Sequence, residues 1–425
     1  MSPQNLRGEL KQYWSQLGPG LTTGAADDDP SGVVTYSAAG AKYGLQLIWV
    51  ALFTYPFMAV VQEMCARIGL VTGQGLAANI RHHYSAKALY MVTILLFGAN
   101  VLNIAADLGM MAASARLLWP WLSVELMVIV FAGASLALQI LVSFGKFSAY
   151  LKYLTLVLLA YVAVALSVPL DWAEVVRHTV IPSITFSKDQ IILLCAIFGT
   201  TISPYLFFWQ TAQEVEEEIL HGETSIAARK RVVSEDTIRV MRRDVWSGMG
   251  FSNFITFCIF AACAGTLYVH GGIDITSAEQ AALALKPFGD FAYILFVVGI
   301  VGTGLIAVPV LAGSTAYAIA ESFGWHYGLY RKIKQAVAFY TIIIAATALG
   351  MMANFLHLDP IKGLIYAAAV NGVVAPFILF FVVRLSGSRH IMGSYANHRF
   401  LAGIGWMTVV IMAISGAAAG LSFIA

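Results

Sequence analysis

Three consecutive carboxylates, Asp27, Asp28 and Asp29, stand in the stretch GAADDDPSGVV (24–34), and they are the only charges between Trp14 and Ala41. A charged side chain at the centre of a bilayer helix costs about 2.5–3.5 kcal/mol on insertion scales. The chemistry open to carboxylates in such surroundings is to hold a cation. Asp29 is the first choice as ligand because Pro30 follows it, and an aspartate before a proline suits the N-cap and first turn of a new helical segment. Asp27 and Asp28 are expected one step further out, supporting the ion or lining its vestibule. A simple proline kink is the plain alternative for this site taken alone.

A second stretch, FGTTISPYLFFWQ (198–210), repeats the device with Ser203 and Pro204 near the middle of another apolar run. Each run then consists of two half-helices with unwound backbone between them. Unwound backbone is tolerated at membrane depth only where protein or water satisfies it. Paired interrupted segments at matching places in two halves of a chain are the best sequence pointer to a midplane binding site. The freed carbonyls of Ala26 and Thr200 are therefore expected to join Asp29 as ligands of the cation, with Ser203 at the second break.

The elements that position these residues follow from composition. The 425-residue chain is 59% hydrophobic and 11% charged, against about 25% charged in soluble domains, and its mean hydropathy is +0.77. Apolar runs of spanning length are read at 14–41, 43–66, 86–115, 124–144, 147–169, 189–213, 244–269, 288–320, 335–356, 360–383 and 400–424. This predicts an all-α integral membrane protein of eleven transmembrane helices forming one domain (1–425). Spans 1–5 (14–169) and 6–10 (189–383) are read as two inverted five-helix repeats, with helices 1 and 6 broken and helix 11 at 400–424. The polar first dozen residues predict no cleavable signal peptide. With the N-terminus inside, 19 of the 25 Lys and Arg residues fall on the cytoplasmic side. That bias predicts a multi-pass protein of the plasma or inner membrane with an external C-terminus. The basic stretch ARKRVVSEDTIRVMRR (228–243) reads as a solvated loop carrying this topology signal. Cys65, Cys195, Cys258 and Cys263 read as small core residues, not a disulfide or zinc framework. All nine histidines fall in loops or at helix ends, which removes the clusters an intramembrane enzyme would need. A receptor or scaffold has no use for two broken helices around acids. The composition points to no nucleic acid and no resident cofactor; the partners are a cation and the lipid bilayer.

The stretch GPGLTTGAADDDPSGVVTYSAAGAKYGLQLIWV resembles the first helix of the Nramp divalent-metal transporters, which share the LeuT-like architecture. The resemblance continues through VVQEMCARIGLVTGQGLA (60–77) and NIAADLGMMAASARLL (103–118). That family carries Asp-Pro-Gly-Asn in helix 1 and Met-Pro-His in helix 6. Here the matching residues are Asp29-Pro30-Ser31-Gly32 and Ser203-Pro204-Tyr205. The resemblance implies that Asp29 and backbone carbonyls hold the metal, while Gly32 and Ser203 stand where an amide and a thioether ligand would be.

The departures predict the cargo. Soft sulfur favours transition metals, whereas carboxylate, carbonyl and water suit magnesium, calcium and manganese. Magnesium dehydrates reluctantly and keeps several waters around one or two carboxylates. The substitutions thus resemble the Nramp-related branch that carries Mg2+, with Mn2+ as a second substrate. A proton-coupled Mn2+/Fe2+ transporter that has lost a tuning ligand is the main alternative, and a sodium-coupled LeuT-fold carrier of an organic solute a distant one. Relatives move protons through a helix 3 acidic pair and helix 6 histidines. Here Asp107 matches the first acid, Met110 stands at the second, Tyr205 replaces the motif histidine, and Gln210 falls near a later one. Neither tyrosine nor glutamine titrates near neutrality as histidine does, so transport is expected to run without protons. Asp107 is then a remnant of the proton path, or one end of a polar stripe with Asn100 and Asn103 at i, i+3, i+7.

The remaining polar residues carry simpler expectations. Asn371, which with Pro376 interrupts helix 10, is a candidate metal contact. Glu63 and Arg67, four apart, form an ion pair. The glutamates of QEVEEEI (213–219) form a solvated helix end, with an inner cation vestibule as the second reading. Gly302 and Gly304 mark close helix packing, since no Gly-Lys-Ser/Thr follows to make a phosphate loop.

Overall fold

Apolar runs with internal hydrogen bonding leave helix as the economical solution, and a computed structural model shows helices throughout its described residues, 13–185, 187–269, 290–356 and 360–424. The first span is two pieces, α1 (Pro19–Asp27) and α2 (Pro30–Tyr43). Then come α3 (Trp49–Thr72), α4 (Leu76–His83), α5 (Ala86–Leu118), α6 (Val124–Leu141), α7 (Phe144–Leu154), α8 (Leu159–Ser167) and α9 (Trp172–Val180). The sixth span is again two pieces, α10 (Lys188–Thr201) and α11 (Pro204–Leu220). They are followed by α12 (Ile226–Val232), α13 (Glu235–Cys263), α14 (Asp290–Phe323), α15 (Val337–Ala353), α16 (Pro360–Gly387), α17 (Arg389–Met392) and α18 (Arg399–Ile424).

Among the described residues, ten helical stretches are long and apolar enough to cross a membrane. The split α1–α2 pair is additional, because neither half is long enough alone. The outer surface suits hydrocarbon: Ile94, Leu141, Leu166, Phe400 and Ile414 are all exposed, a distribution water would punish as a large apolar patch. Polar side chains are turned inward instead, where they bond between helices.

The second span begins six residues later than its apolar run, because the Gly44–Leu47 turn separates it from α2. The basic stretch 228–243 is not a loop. It forms the end of α12 and the first turns of α13, started by a Ser234–Thr237 capping box. Arg229 is buried, its Nε donating to the Gly73 carbonyl at 3.0 Å. The four cysteines are free and buried. Gly302 faces Val157 and Gly304 faces Met111, the close packing their spacing suggested.

Small residues set the helix approaches that bring the two breaks together. Gly20 and Gly24, a small-xxx-small pair on α1, let that half-helix lie against α13, and a methyl at Gly24 would overlap the Gly248 carbonyl. Gly199 on α10 lies against the backbone of Ala368 and Gly372 in α16 in the same way.

One end of α1 is tied down by charge. Asp244, buried on α13, accepts hydrogen bonds from the backbone N–H groups of Gly18 (2.9 Å), Gly20 (2.7 Å) and Leu21 (3.1 Å). It supplies from another helix the cap that α1 does not make for itself, and it places negative charge at the positive helix end. Lys152 on α7 adds bonds to the carbonyls of Trp14 and Leu17. Nearby, Glu63 gathers Arg67, Arg242 (3.0 Å) and Trp246 (2.7 Å), and Arg67 reaches Asn397 at 2.8 Å. The expected ion pair is thus the centre of a network joining α3, α13 and the segment before α18. Asp244→Ala is expected to leave three N–H groups without their acceptor and to destabilise the fold by about 2 kcal/mol. Thermal melts of purified protein check this, with Asp244→Asn retaining more of the native melting temperature than the alanine variant.

Candidate functional site

Both breaks fall where a capping residue precedes proline, and both lie inside the bundle. Asp28 ends α1 with φ −84° and ψ 48°, and Asp29 starts α2 in the extended conformation. The Asp29 carboxylate caps α2: Oδ1 accepts from the Gly32 N–H at 2.6 Å and from Ser31 Oγ at 2.7 Å. Across the break, Tyr205 of α11 donates its hydroxyl to the Ala26 carbonyl at 2.7 Å and lies 3.3 Å from Asp29 Oδ2. Ser31 Oγ lies 3.5 Å from Thr200 Oγ1, and Tyr36 is joined to Thr201 at 3.0 Å. Hydroxyls therefore stitch the two broken helices together around Asp29.

Several expected ligands are engaged differently from the sequence reading. Ser203 has N-cap backbone geometry but does not cap α11 with its side chain. Its hydroxyl turns back to the carbonyls of Gly199 (3.0 Å) and Thr200 (2.7 Å), satisfying the end of α10 instead. The Ala26 and Thr200 carbonyls thus each already accept a hydroxyl, leaving one lone pair apiece for other use. Gly32 is closely surrounded: a Cβ there would stand 3.0 Å from Thr200 Oγ1 and 3.3 Å from the Asp27 carbonyl.

Asp107, on α5, is fully buried. Its buried carboxylate bonds no other side chain, and the Ser31 backbone N–H interacts with it. The polar stripe of α5 is interhelical, as its spacing suggested. Asn100 donates to Leu311 O, Ser314 and Thr315 of α14, and Asn103 donates to Asn371 Oδ1 at 3.1 Å. Asn371 is therefore held by its amide oxygen in that stripe, the atom that would otherwise meet a cation.

Gln210 lies well along α11 from the break and donates to Glu214 at 2.8 Å; no contact joins it to Asp29. The glutamates beyond it are not a solvated end. Glu214, Glu216 and Glu218 are buried, and Gly328–Tyr330 fold back over Glu216. Glu216 accepts from Tyr317 Oη (2.5 Å) and from the backbone N–H groups of Leu329 (2.8 Å) and Tyr330 (3.0 Å).

Asp27 and Asp28 turn away from this set toward α13. Asp27 Oδ2 accepts from Ser252 at 3.2 Å, and Asp28 Oδ1 accepts from Thr256 at 3.2 Å. Among the described residues, no three His, Cys, Asp or Glu side chains converge on one point as a metal cluster, so the three consecutive aspartates do not act as a single cage. Sequence reasoning missed Ser31, Ser252 and Thr256. The last two are hydroxyls four residues apart in an apolar helix, a pattern that marks one polar face.

Asp27, Asp28, Asp29 and Asp107 all have no exposure to solvent. Two interrupted helices meeting around sealed acids, within a bundle whose outside is apolar, define a membrane transporter, not an enzyme. The Nramp family model, described as natural resistance-associated macrophage protein-like, matches residues 20–422, and the chain belongs to that family. It is 24% identical over 417 residues to the divalent metal cation transporter MntH of Klebsiella pneumoniae, covering 96% of this chain and 94% of that protein. Its fold is similar to that of the Eremococcus coleocola manganese transporter, with a TM-score of 0.71 at 18% identity over 96% of this chain and 86% of that one. It is also similar to Mhp1, a nucleobase-cation-symport-1 family transporter, with a TM-score of 0.56 at 14% identity over 95% and 91% of the two chains. These likenesses support the LeuT-like fold that the family resemblance implied.

Proposed function

We propose that this protein carries divalent cations across the membrane, Mg2+ first and Mn2+ second, through a partly hydrated site at Asp29, and that it does so without moving protons. The relatives named as divalent metal and manganese transporters support the cargo class. One observation carries the finer reading: every side chain that touches Asp29 does so through oxygen. Ser31 and Tyr205 bond or approach the carboxylate directly, Thr200 lies beside Ser31, and the Asp107 carboxylate adds oxygens with no side-chain partner. This donor set suits a hard ion that keeps part of its water. The Ala26 and Thr200 carbonyls and Ser203 complete the cradle when their hydroxyl partners turn aside, and Asn371 steadies its wall through Asn103. The absence of an imidazole at 205 and 210 supports uncoupled transport.

In this reading the N-terminus is cytoplasmic and the C-terminus external, following the distribution of basic residues. The Asp244 and Lys152 ties then close the inner end of α1, and release to the cytoplasm requires them to part. The test is uptake of Mg2+ and Mn2+ into liposomes containing the purified protein. Mg2+ entry that is saturable and competed by Mn2+ is expected. Mn2+ entry with no Mg2+ entry under the same conditions overturns the preference and returns the protein to the Mn2+/Fe2+ group.

A further inference from the structure

Positive charge collects, without a counter-charge, where α16 ends and α18 begins. From Phe377 to Ala425 the sequence has no aspartate or glutamate, but it has Arg384, Arg389 and Arg399. In the fold, an open cavity of about 550 Å³ lies at this end of the bundle, a size that suits a small ligand group. Its wall carries Arg384 and His390, with His83 from the end of α4, and no carboxylate. These three side chains are exposed, and among the described residues none of them forms an ion pair. Glu63 approaches the wall only through Arg67 and Asn397, and it is already shared between Arg67 and Arg242. Ser388 also lines the cavity, and its hydroxyl does not cap α17. A guanidinium, two imidazoles and a hydroxyl offer positive charge and hydrogen-bond donors to a phosphate.

An apolar groove adjoins this cavity. It runs along the outside of the bundle between α16 and α18 and holds about 500 Å³. Val373, Phe377 and Phe380 line it from α16, and Val409 and Ala413 line it from α18. Two ring contacts join the cavity to the groove. Tyr84 and Trp406, on the cavity wall, pack against Phe381 and Phe380 of the groove, with ring centroids 4.9 and 5.8 Å apart. From Arg384 back to Val373, α16 rises about 16 Å, so the groove leads from the charged helix end toward the middle of the membrane. At its far end the two helices close on each other, where a Cβ at Gly416 would stand 3.1 Å from the Gly372 carbonyl. Trp406 marks the junction, the place an indole takes at the level of lipid headgroups. A basic cavity at a helix end that opens into an apolar groove along the span matches the two ends of one molecule.

We propose that the cavity and the groove form one binding site for an anionic glycerophospholipid. Arg384, His390 and His83 hold its phosphate, and one acyl chain lies against Phe377, Phe380 and Val409. In the orientation given above this is the cytoplasmic leaflet, whose anionic lipids are drawn to basic pockets between spans. The site takes no part in the Asp29 cradle, so its test does not depend on which ion is carried.

The experiment is native mass spectrometry of the full chain, purified in detergent, stripped of lipid and titrated with phosphatidylglycerol or phosphatidylcholine. One phosphatidylglycerol per chain is expected to bind on the order of tenfold more tightly than phosphatidylcholine. Arg384→Gln together with His390→Gln removes that preference and leaves phosphatidylcholine binding unchanged. Arg116→Gln, an exposed charge at the other end of α5, changes neither lipid. Ala413→Trp, at an exposed position, fills the groove and weakens both lipids. Glycerol phosphate, which has the anionic group without the chain, competes only at far higher concentration. Melting temperatures without added lipid stay native for every variant, which separates lost binding from lost folding. Equal affinity for the two lipids, or a preference that survives the double substitution, overturns the site. Glycerol phosphate that competes as well as the lipid, with Ala413→Trp without effect, overturns the lipid as occupant in favour of a free phosphate compound.

Discussion

Asp29→Ala is expected to abolish Mg2+ uptake in proteoliposomes, lowering its initial rate at least about a hundredfold, the equivalent of ~3 kcal/mol of lost ion stabilisation. Asp29 has two separable duties. It caps α2 through the Gly32 N–H at 2.6 Å, and it places a carboxylate at the meeting point of the two breaks. Alanine removes both, and the lost cap alone costs about 1 kcal/mol of stability. Asparagine is as good a helix cap as aspartate but carries no charge. Asp29→Asn is therefore expected to keep a near-native melting temperature and still lose transport to the same extent. Uptake measured beside thermal melts separates the duties. An asparagine variant that transports at the native rate would place the ion's anchor elsewhere, with Asp107 the next candidate.

How much of this was legible depends on the range of each interaction. The breaks were legible because their cause is local: Asp29-Pro30 and Ser203-Pro204 start new segments by the chemistry of adjacent residues. The spans were legible from apolar length alone, apart from the second, where a four-residue 3-10 turn consumed part of the run. Side-chain direction was not. A serine before a helix can bond forward to an N–H or back to carbonyls, and nothing near Ser203 in sequence says that its hydroxyl closes the end of α10. Glu216 looked solvated because the N–H groups that satisfy it come from Leu329 and Tyr330, more than a hundred residues on. Ser252 and Thr256 drew no attention for the same reason, as the carboxylates they hold are 225 and 228 residues away. The basic stretch was read correctly as charge and wrongly as loop, because the Ser234–Thr237 cap is a helix start that the density of arginines obscured.

Membrane potential, not a pH gradient, is expected to drive accumulation. A divalent ion crossing 100 mV gains about twice 2.3 kcal/mol, enough for roughly a thousandfold concentration ratio at equilibrium. Under the proposed reading, Asp29 and Asp107 would hold the ion within the bundle, where both are sealed from solvent, and the potential would act on its whole charge. The ion therefore crosses the field while the carboxylates stay fixed. Proton coupling would need a titrating group able to leave this arrangement with its proton. Tyr205 is held between the Ala26 carbonyl and Asp29, and Gln210 is paired with Glu214; neither is such a group. In liposomes given an inside-negative potassium diffusion potential, Mg2+ should accumulate by about three orders of magnitude per 100 mV, and an internal pH dye should register no acidification. Setting the potential to zero should leave only equilibration down the Mg2+ gradient, whatever the pH difference. Acidification in step with Mg2+ entry, or accumulation driven by acid outside at zero potential, would mean that the Asp29–Asp107 pair passes protons with the ion and that the missing histidines have been replaced, not lost.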